Sequence, residues 1–174
     1  MIRRFAPLAV VVAVALGSYF GTLAAAPYGL MWLAEAKMAK TARTNHFTHL
    51  PPVRADRQFV VRPSPDLLYS LCPYDLSAGP LEITAVPVPG RYSSISVFDA
   101  RTDVAFVRND EQMAGRPMRV VLAREGQAVP GGVEIVRVRY ARGMVLQRVL
   151  LADPSEATKV DPIRRQAACR TLAG

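Results

Sequence analysis

Polar positions do not recur along the first part of the chain. From Phe5 to Ala34 there is no charged residue; Arg3 and Arg4 precede the run and Glu35 closes it. A helix needs only about 20 apolar residues to cross a bilayer. No polar face develops over about six turns, which argues against the core helix of a soluble domain. Tyr28 and Trp32 fall where an interfacial aromatic belt would lie. The pattern predicts a transmembrane anchor over residues 1–26 and a juxtamembrane helix and linker over residues 27–58. "PYGLMWLAEAKMAKTA" is rich in helix formers and can continue the anchor out of the bilayer. The Pro51-Pro52 pair then forces an extended link.

From Phe59 the period shortens. Runs of β-formers alternate with Pro- and Gly-rich turns, as in an antiparallel sheet structure. Strands are expected at Phe59–Arg62, Leu67–Tyr74, Leu81–Val86, Tyr92–Asp99, Val104–Val107, Met118–Arg124, Val133–Tyr140 and Met144–Ala152. "SAGP" and "VPG" are turns. The short "YARGM" connection predicts a hairpin between the last two strands. Val136, Val138 and Tyr140 share one face of their strand, and Arg137 and Arg139 share the wet one. Near the end, Asp161 can cap a short C-terminal helix with Pro162 at its first position. Residues 59–174 thus form one mainly β domain, large enough to bury a core.

Charge and cysteine content refine this picture. The chain carries a formal +8, and setting aside Arg3 and Arg4 leaves 20 basic and 14 acidic residues, or +6. That balance suits anionic headgroups or acidic partners. The basic residues are scattered and no RNA-binding motif appears, so nucleic acid is not an expected partner. Arg3 and Arg4 favour a cytoplasmic N-terminus, although Lys37, Lys40 and Arg43 weaken the asymmetry. The expected placement is therefore the inner (cytoplasmic) membrane, single-pass, with the main domain in the periplasm. A cleaved signal peptide is the rival: Ala24 and Ala26 form an A-x-A pattern, but Pro27 would follow the cut. Cys72 and Cys169 can form a disulfide in an oxidising compartment, or Cys72 can be a small buried apolar residue.

Candidate chemistry is sparse. His46 and His49 stand three apart in "NHFTH" without a third ligand placed by spacing, so no metal site is expected. Ser64, Ser70 or Ser77 can be combined with His49, but no GxSxG elbow selects one. Asp66 and Asp75 can serve acid–base work, or hold turn amides. No phosphate-cradling loop occurs, and no cofactor is expected.

Three segments resemble a bacterial family, domain of unknown function 1254 (DUF1254). They are "VRPSPDLLYS", with Arg62, Pro63, Pro65, Asp66, Leu68, Tyr69 and Ser70; "DLSAGP", with Asp75, Leu76, Ser77, Gly79 and Pro80; and "GRYSSISVFDARTD", with Gly90, Arg91, Tyr92, Ser94, Asp99 and Thr102. Asn45, Phe47 and His49 resemble an N-x-F-x-H element before them, and "QRVLLADPSEATKVDPIRRQAA" resembles the family's last strand and closing helix. Ser64, Leu67 and Asp103 depart from the pattern, which has Asn, Thr and Asn there.

The resemblance implies a jelly-roll-like sandwich with flanking helices and an activity that is not settled. Many members carry a second domain, DUF1214, so the resemblance implies a separate DUF1214-like partner protein. The combined expectation is a membrane-anchored binding or assembly module that contacts lipid through its N-terminal helix. The alternative is a periplasmic enzyme, such as a hydrolase. Arg62, Asp66, Tyr69 and Arg91 would then line its site, with Asp66 or His49 moving the proton.

Overall fold

A computed structural model of the chain describes residues 2–39, 41–54, 56 and 62–172. The strand expected at Phe59–Arg62 lies outside the described residues except for Arg62 itself. Helix α1 runs unbroken from Ile2 to Met38 with Pro7 and Pro27 inside it. At about 1.5 Å per residue it is about 55 Å long, well beyond the ~30 Å of a hydrocarbon core. Its apolar side chains Leu8, Val14, Phe20, Leu23, Leu30 and Leu33 are exposed. The helix is long and apolar enough to cross a membrane, and a signal sequence meets the same description.

The remaining elements form two sheets. The first has the order β1 (Thr48–His49), β2 (Leu67–Asp75), β8 (Arg142–Leu150), β4 (Ser93–Asp99) and β5 (Val104–Asn109). The second has the order β7 (Glu134–Val138), β6 (Met118–Arg124), β3 (Leu81–Ala85) and β9 (Ala168–Thr171). A short helix, α2 (Asp110–Met113), follows β5; α3 (Ala157–Arg164) precedes β9. One apolar core lies between the sheets, with Cys72, Tyr74, Ile95, Val97 and Val145 from the first and Leu81, Ile83, Val120, Leu122 and Val138 from the second.

Strand β2 determines how the helices are placed. Its sequence "LLYSLCPYD" has no polar alternation, and every residue from Leu68 to Tyr74 is buried. Cys72 and Tyr74 face the core between the sheets, whereas Tyr69 and Leu71 belong to a separate cluster with Met31, Met38, Leu50 and Met144. The two methionines lie one heptad apart on α1, so the end of the long helix roofs the outer face of the sheet. A third cluster, Leu68, Val88, Val149, Leu151 and Val160, closes the end nearest α3. There Arg164, only 1% exposed, donates through Nη1 to the carbonyls of Leu50 at 3.0 Å and Tyr69 at 2.7 Å and pairs with Asp161.

Several expectations change. The last two long strands do not form a hairpin. β7 lies parallel to β6 in the second sheet, while β8 sits between β2 and β4 in the first, antiparallel to both. β8 is mostly buried and takes a partner on each side; β7 is a short strand with exposed Glu134, Ile135 and Arg137 that suits an edge. Tyr140 and Ala141 therefore carry the chain from one sheet to the other, with the Ala141 carbonyl accepting from Leu76 N–H. The sandwich is consequently not purely antiparallel.

The C-terminal helix begins earlier than its sequence signal suggested. Asp153 caps a 3₁₀ turn at Pro154–Glu156, and α3 follows directly. Asp161 and Pro162 lie inside α3, because the Asp161 carboxylate is taken by Arg164 and Arg165 instead of by free amides. Beyond α3 the chain returns as strand β9 beside β3, so a strand, not a helix, ends the described fold.

Cys72 of β2 and Cys169 of β9 are joined by a disulfide that links the two sheets. The bond closes a loop with a sequence separation of 97. Loops near that length lower denatured-state entropy enough to stabilise by about 4–5 kcal/mol in the chain-entropy account, less any native strain. Replacing both cysteines with Ala is expected to cost about 2–5 kcal/mol in urea unfolding of the detergent-solubilised chain. An unchanged midpoint in the double variant would mean the bond does not hold the sheets.

Candidate functional site

The residues singled out in sequence occupy different settings in the structure. Arg62 is exposed with φ 51°, in the left-handed region. Asp66 is exposed before β2, and its backbone carbonyl accepts from Leu151 N–H. Tyr69 is buried beneath α1, and its hydroxyl accepts a 2.9 Å bond from Ser64 N–H, which closes the turn ahead of β2. Arg91 pairs with Glu156 at 2.5 Å, and the other carboxylate oxygen of Glu156 accepts from Ala152 N–H. Arg91 alone of these lines a described cavity, a shallow one with Val88, Lys159 and Ile163.

His49 does find a serine. Its Nδ1 lies 2.9 Å from Ser70 Oγ, across the β1–β2 pair. Ser70 has no exposed surface, so the contact braces the strand pair and does not meet solvent. Burial pushes the His49 imidazole down to about 4, and the positive charges of Arg164 and Arg165 push the same way against Asp161.

A different set of side chains does converge, in a cavity of about 340 Å³ between α1 and the adjoining ends of β2 and β8. Trp32, Glu35 and Ala36 of α1 form one wall, with Ala39, Ala42 and Thr44 beyond its end. Pro73, Tyr74, Asp75 and Arg142 form the other. Asp75 ends β2; its Oδ1 accepts from Ser77 N–H at 2.8 Å and its Oδ2 from Arg142 Nε at 2.9 Å. Burial works against the Asp75 carboxylate, but the bonds from Ser77 and Arg142 prevail and hold it below the usual carboxylate range.

Tyr74 is 2% exposed, and its hydroxyl is buried without a hydrogen-bond partner among the described residues. Burial, with the nearby charges of Asp99 and Glu35, pushes that hydroxyl well above the ordinary tyrosine range. Gly143 stands opposite Tyr74 in the β2–β8 register. A Cβ there would lie 2.1 Å from the Phe98 carbonyl oxygen and 2.7 Å from Tyr74 Oη. Glu35, Tyr74 and Arg142 were not singled out in sequence, because a helix residue and two strand residues so far apart share no spacing signal. The one available hint was that Glu35 is the first charge after the thirty-residue apolar run.

The comparison with protein families matches residues 44–171, well over half the chain, to the family described as "Protein of unknown function (DUF1254)". The chain belongs to the DUF1254 family. Among solved structures it is similar to a Vibrio parahaemolyticus protein, at 18% identity and a TM-score of 0.65, covering 84% of this chain and 34% of that one. It is also similar to an uncharacterised protein from Burkholderia cenocepacia, at 17% identity and a TM-score of 0.51, covering 82% of this chain and 39% of that one. Both likenesses concern the fold alone, and the chain spans only 34% and 39% of the length of these relatives. No curated protein matches.

The DUF1254 signature residues act here largely as scaffold. Asn45, with φ 59°, donates from Nδ2 to the Asp75 carbonyl at 2.9 Å and to Thr171 Oγ1 at 2.8 Å, while its Oδ1 accepts from Asp75 N–H. It therefore ties the end of β2 to β9 in the opposite sheet. Phe47 lies against the main core and stacks on His49. Asp99 Oδ1 accepts from the Arg101 and Asp103 amides, and Thr102 takes a left-handed turn position at φ 66°. Gly79, at φ 140°, passes so close to the second sheet's edge that a Cβ would lie 2.8 Å from the Leu172 carbonyl oxygen.

Two measurements test these assignments. Gly143→Ala overpacks against a backbone carbonyl that cannot yield, and is expected to destabilise by about 3 kcal/mol or more; a midpoint within error of the wild type would refute the close approach. The second concerns acid. The His49 value lies below that of an unfolded histidine, near 6.5, so the unfolded chain binds the extra proton first. Stability is complete above pH 6.5 and falls as pH drops from 6.5 to about 4. With solvent screening of this half-buried group, the loss should be about 1–2 kcal/mol. His49→Gln should flatten the slope in that window, and an equally steep variant would assign it to other groups.

Proposed function

We propose that this DUF1254 protein is a membrane-tethered binding module of the bacterial cell envelope, with its sandwich domain on the periplasmic side of the cytoplasmic membrane. The observation that carries this reading is the continuity of α1. One helix exposes an apolar surface from Leu8 to Leu33 and, without a break, seats Met31 and Met38 on the domain's first sheet. A tether built this way holds the domain at a set height and orientation above the lipid.

Two further features support it. The Cys72–Cys169 disulfide belongs in an oxidising compartment. Arg101 lies 5.7 Å from the Tyr28 ring centroid and Arg139 5.4 Å from that of Tyr140, with the two tyrosine hydroxyls 2.9 Å apart. This aromatic and basic cluster stands where α1 meets the domain, and suits the headgroup layer. In this reading the module works beside a separate DUF1214-like protein, consistent with relatives much longer than the segment matched here.

Reporter fusions after Thr41 should be active in the periplasm and silent in the cytoplasm, and an intact mass should retain residues 1–26. Cytoplasmic activity would overturn the orientation, and a product beginning at Pro27 would overturn the tether. Crosslinking in native membranes should recover a DUF1214-like chain; recovery of none would remove the partner from the proposal while leaving the tether standing.

A further inference from the structure

The cleft between α1 and the ends of β2 and β8 holds one more negative charge than its own side chains neutralise. Asp75 and Arg142 offset one another at 2.9 Å. Glu35 lines the same cleft, half-buried, and makes no side-chain hydrogen bond or ion pair among the described residues. Tyr74 also lines the cleft, but its side chain packs in the inter-sheet core and its hydroxyl has no accessible surface there. Trp32 adds an aromatic wall, and Ala36, Ala39 and Ala42 leave the space open. At about 340 Å³ the cavity is at the small end of ligand sites.

We propose that this cleft binds a primary ammonium group, carried either by a small free amine or by an aminophospholipid headgroup. Glu35 supplies the counter-charge. The Trp32 ring offers a face to the cation. Arg142 is held through Nε by Asp75, so its Nη groups remain for the phosphate that neighbours the ammonium in such a headgroup. An isolated anion is disfavoured, because it would meet both Glu35 and Asp75. The lipid source rests on the tethered reading of α1; the free-amine source does not.

Trp32 is the only tryptophan in the chain and so reports on the cleft directly. The full chain in detergent micelles is titrated with ethanolamine and with phosphoethanolamine, against sodium chloride at equal ionic strength. A saturable change in Trp32 fluorescence is expected, tighter for phosphoethanolamine. Glu35→Gln should weaken it about ten-fold. Ala39→Leu should block it sterically with no change of charge. Both Glu35→Gln and Ala39→Leu are first checked for an unchanged thermal midpoint; if the leucine variant unfolds, the isosteric glutamine variant decides.

Nanodiscs then separate the two sources. If the headgroup is the ligand, free ethanolamine produces its change in phosphatidylglycerol discs but not in phosphatidylethanolamine discs, where the site is already filled. An equal change in both disc types assigns the site to a free amine. No saturable change in micelles or in phosphatidylglycerol discs, or equal affinity in wild type and Glu35→Gln, overturns the proposal. Loss of membrane attachment would sink the tether alone, since the micelle titration judges the cleft independently.

Discussion

The structure depends on a strand that cannot face water on either side. β2 is buried from Leu68 to Tyr74, and it lies between β1 and β8 with one face on the inter-sheet core and the other outward. A sheet strand with both faces apolar needs two covers. The second sheet provides one. The other comes from the end of α1, through Met31 and Met38, so the helix is part of the domain's hydrophobic structure and not an appendage to it. The same docking creates the α1–sheet cleft, because small alanines at 36, 39 and 42 leave a gap where the methionine contacts end.

Around this frame, polar side chains act mainly as fasteners between elements. Asn45 binds β2 to β9, Arg164 binds α3 to the β1–β2 pair, and Glu82, buried in β3, takes Arg119 from β6 and Arg170 from β9. The buried charges of Glu82 and Arg164 are each met by an ion-pair partner and by hydrogen bonds, the condition under which burial of a charge is tolerated. Several residues singled out in sequence are engaged in the same way. Tyr69 and Arg91 are occupied in holding loops, and His49 is neutral against a buried serine.

The legible parts of the fold were those written in local pattern. β6 falls on Met118–Arg124 as its run of β-formers indicates, and β2, β3 and β4 lie within a residue or two of theirs, since Pro and Gly turns bound them. Strand partnership was not legible, because "YARGM" has the length of a hairpin turn but carries the chain between sheets. The Asp161-Pro162 step offered a helix start, but α3 follows a 3₁₀ turn capped by Asp153, and the Asp161 carboxylate goes to Arg164 and Arg165. β1 is two residues long and has no periodicity to read. The cleft was invisible for a related reason: Glu35 and Arg142 come together only after α1 docks.

The order of pairing has a consequence for synthesis. β2 emerges early from the ribosome, yet its main partner, β8, is made much later: Leu67 pairs with Leu150 and Asp75 with Arg142. β9, which carries the second cysteine, comes later still. During that interval the most apolar strand of the domain has no permanent neighbour on its long edge, and non-local pairing of this kind is intrinsically slow. An unpaired apolar strand is a template for mispairing between chains. The interval before the eighth strand arrives is therefore the one in which the chain is most open to mispairing.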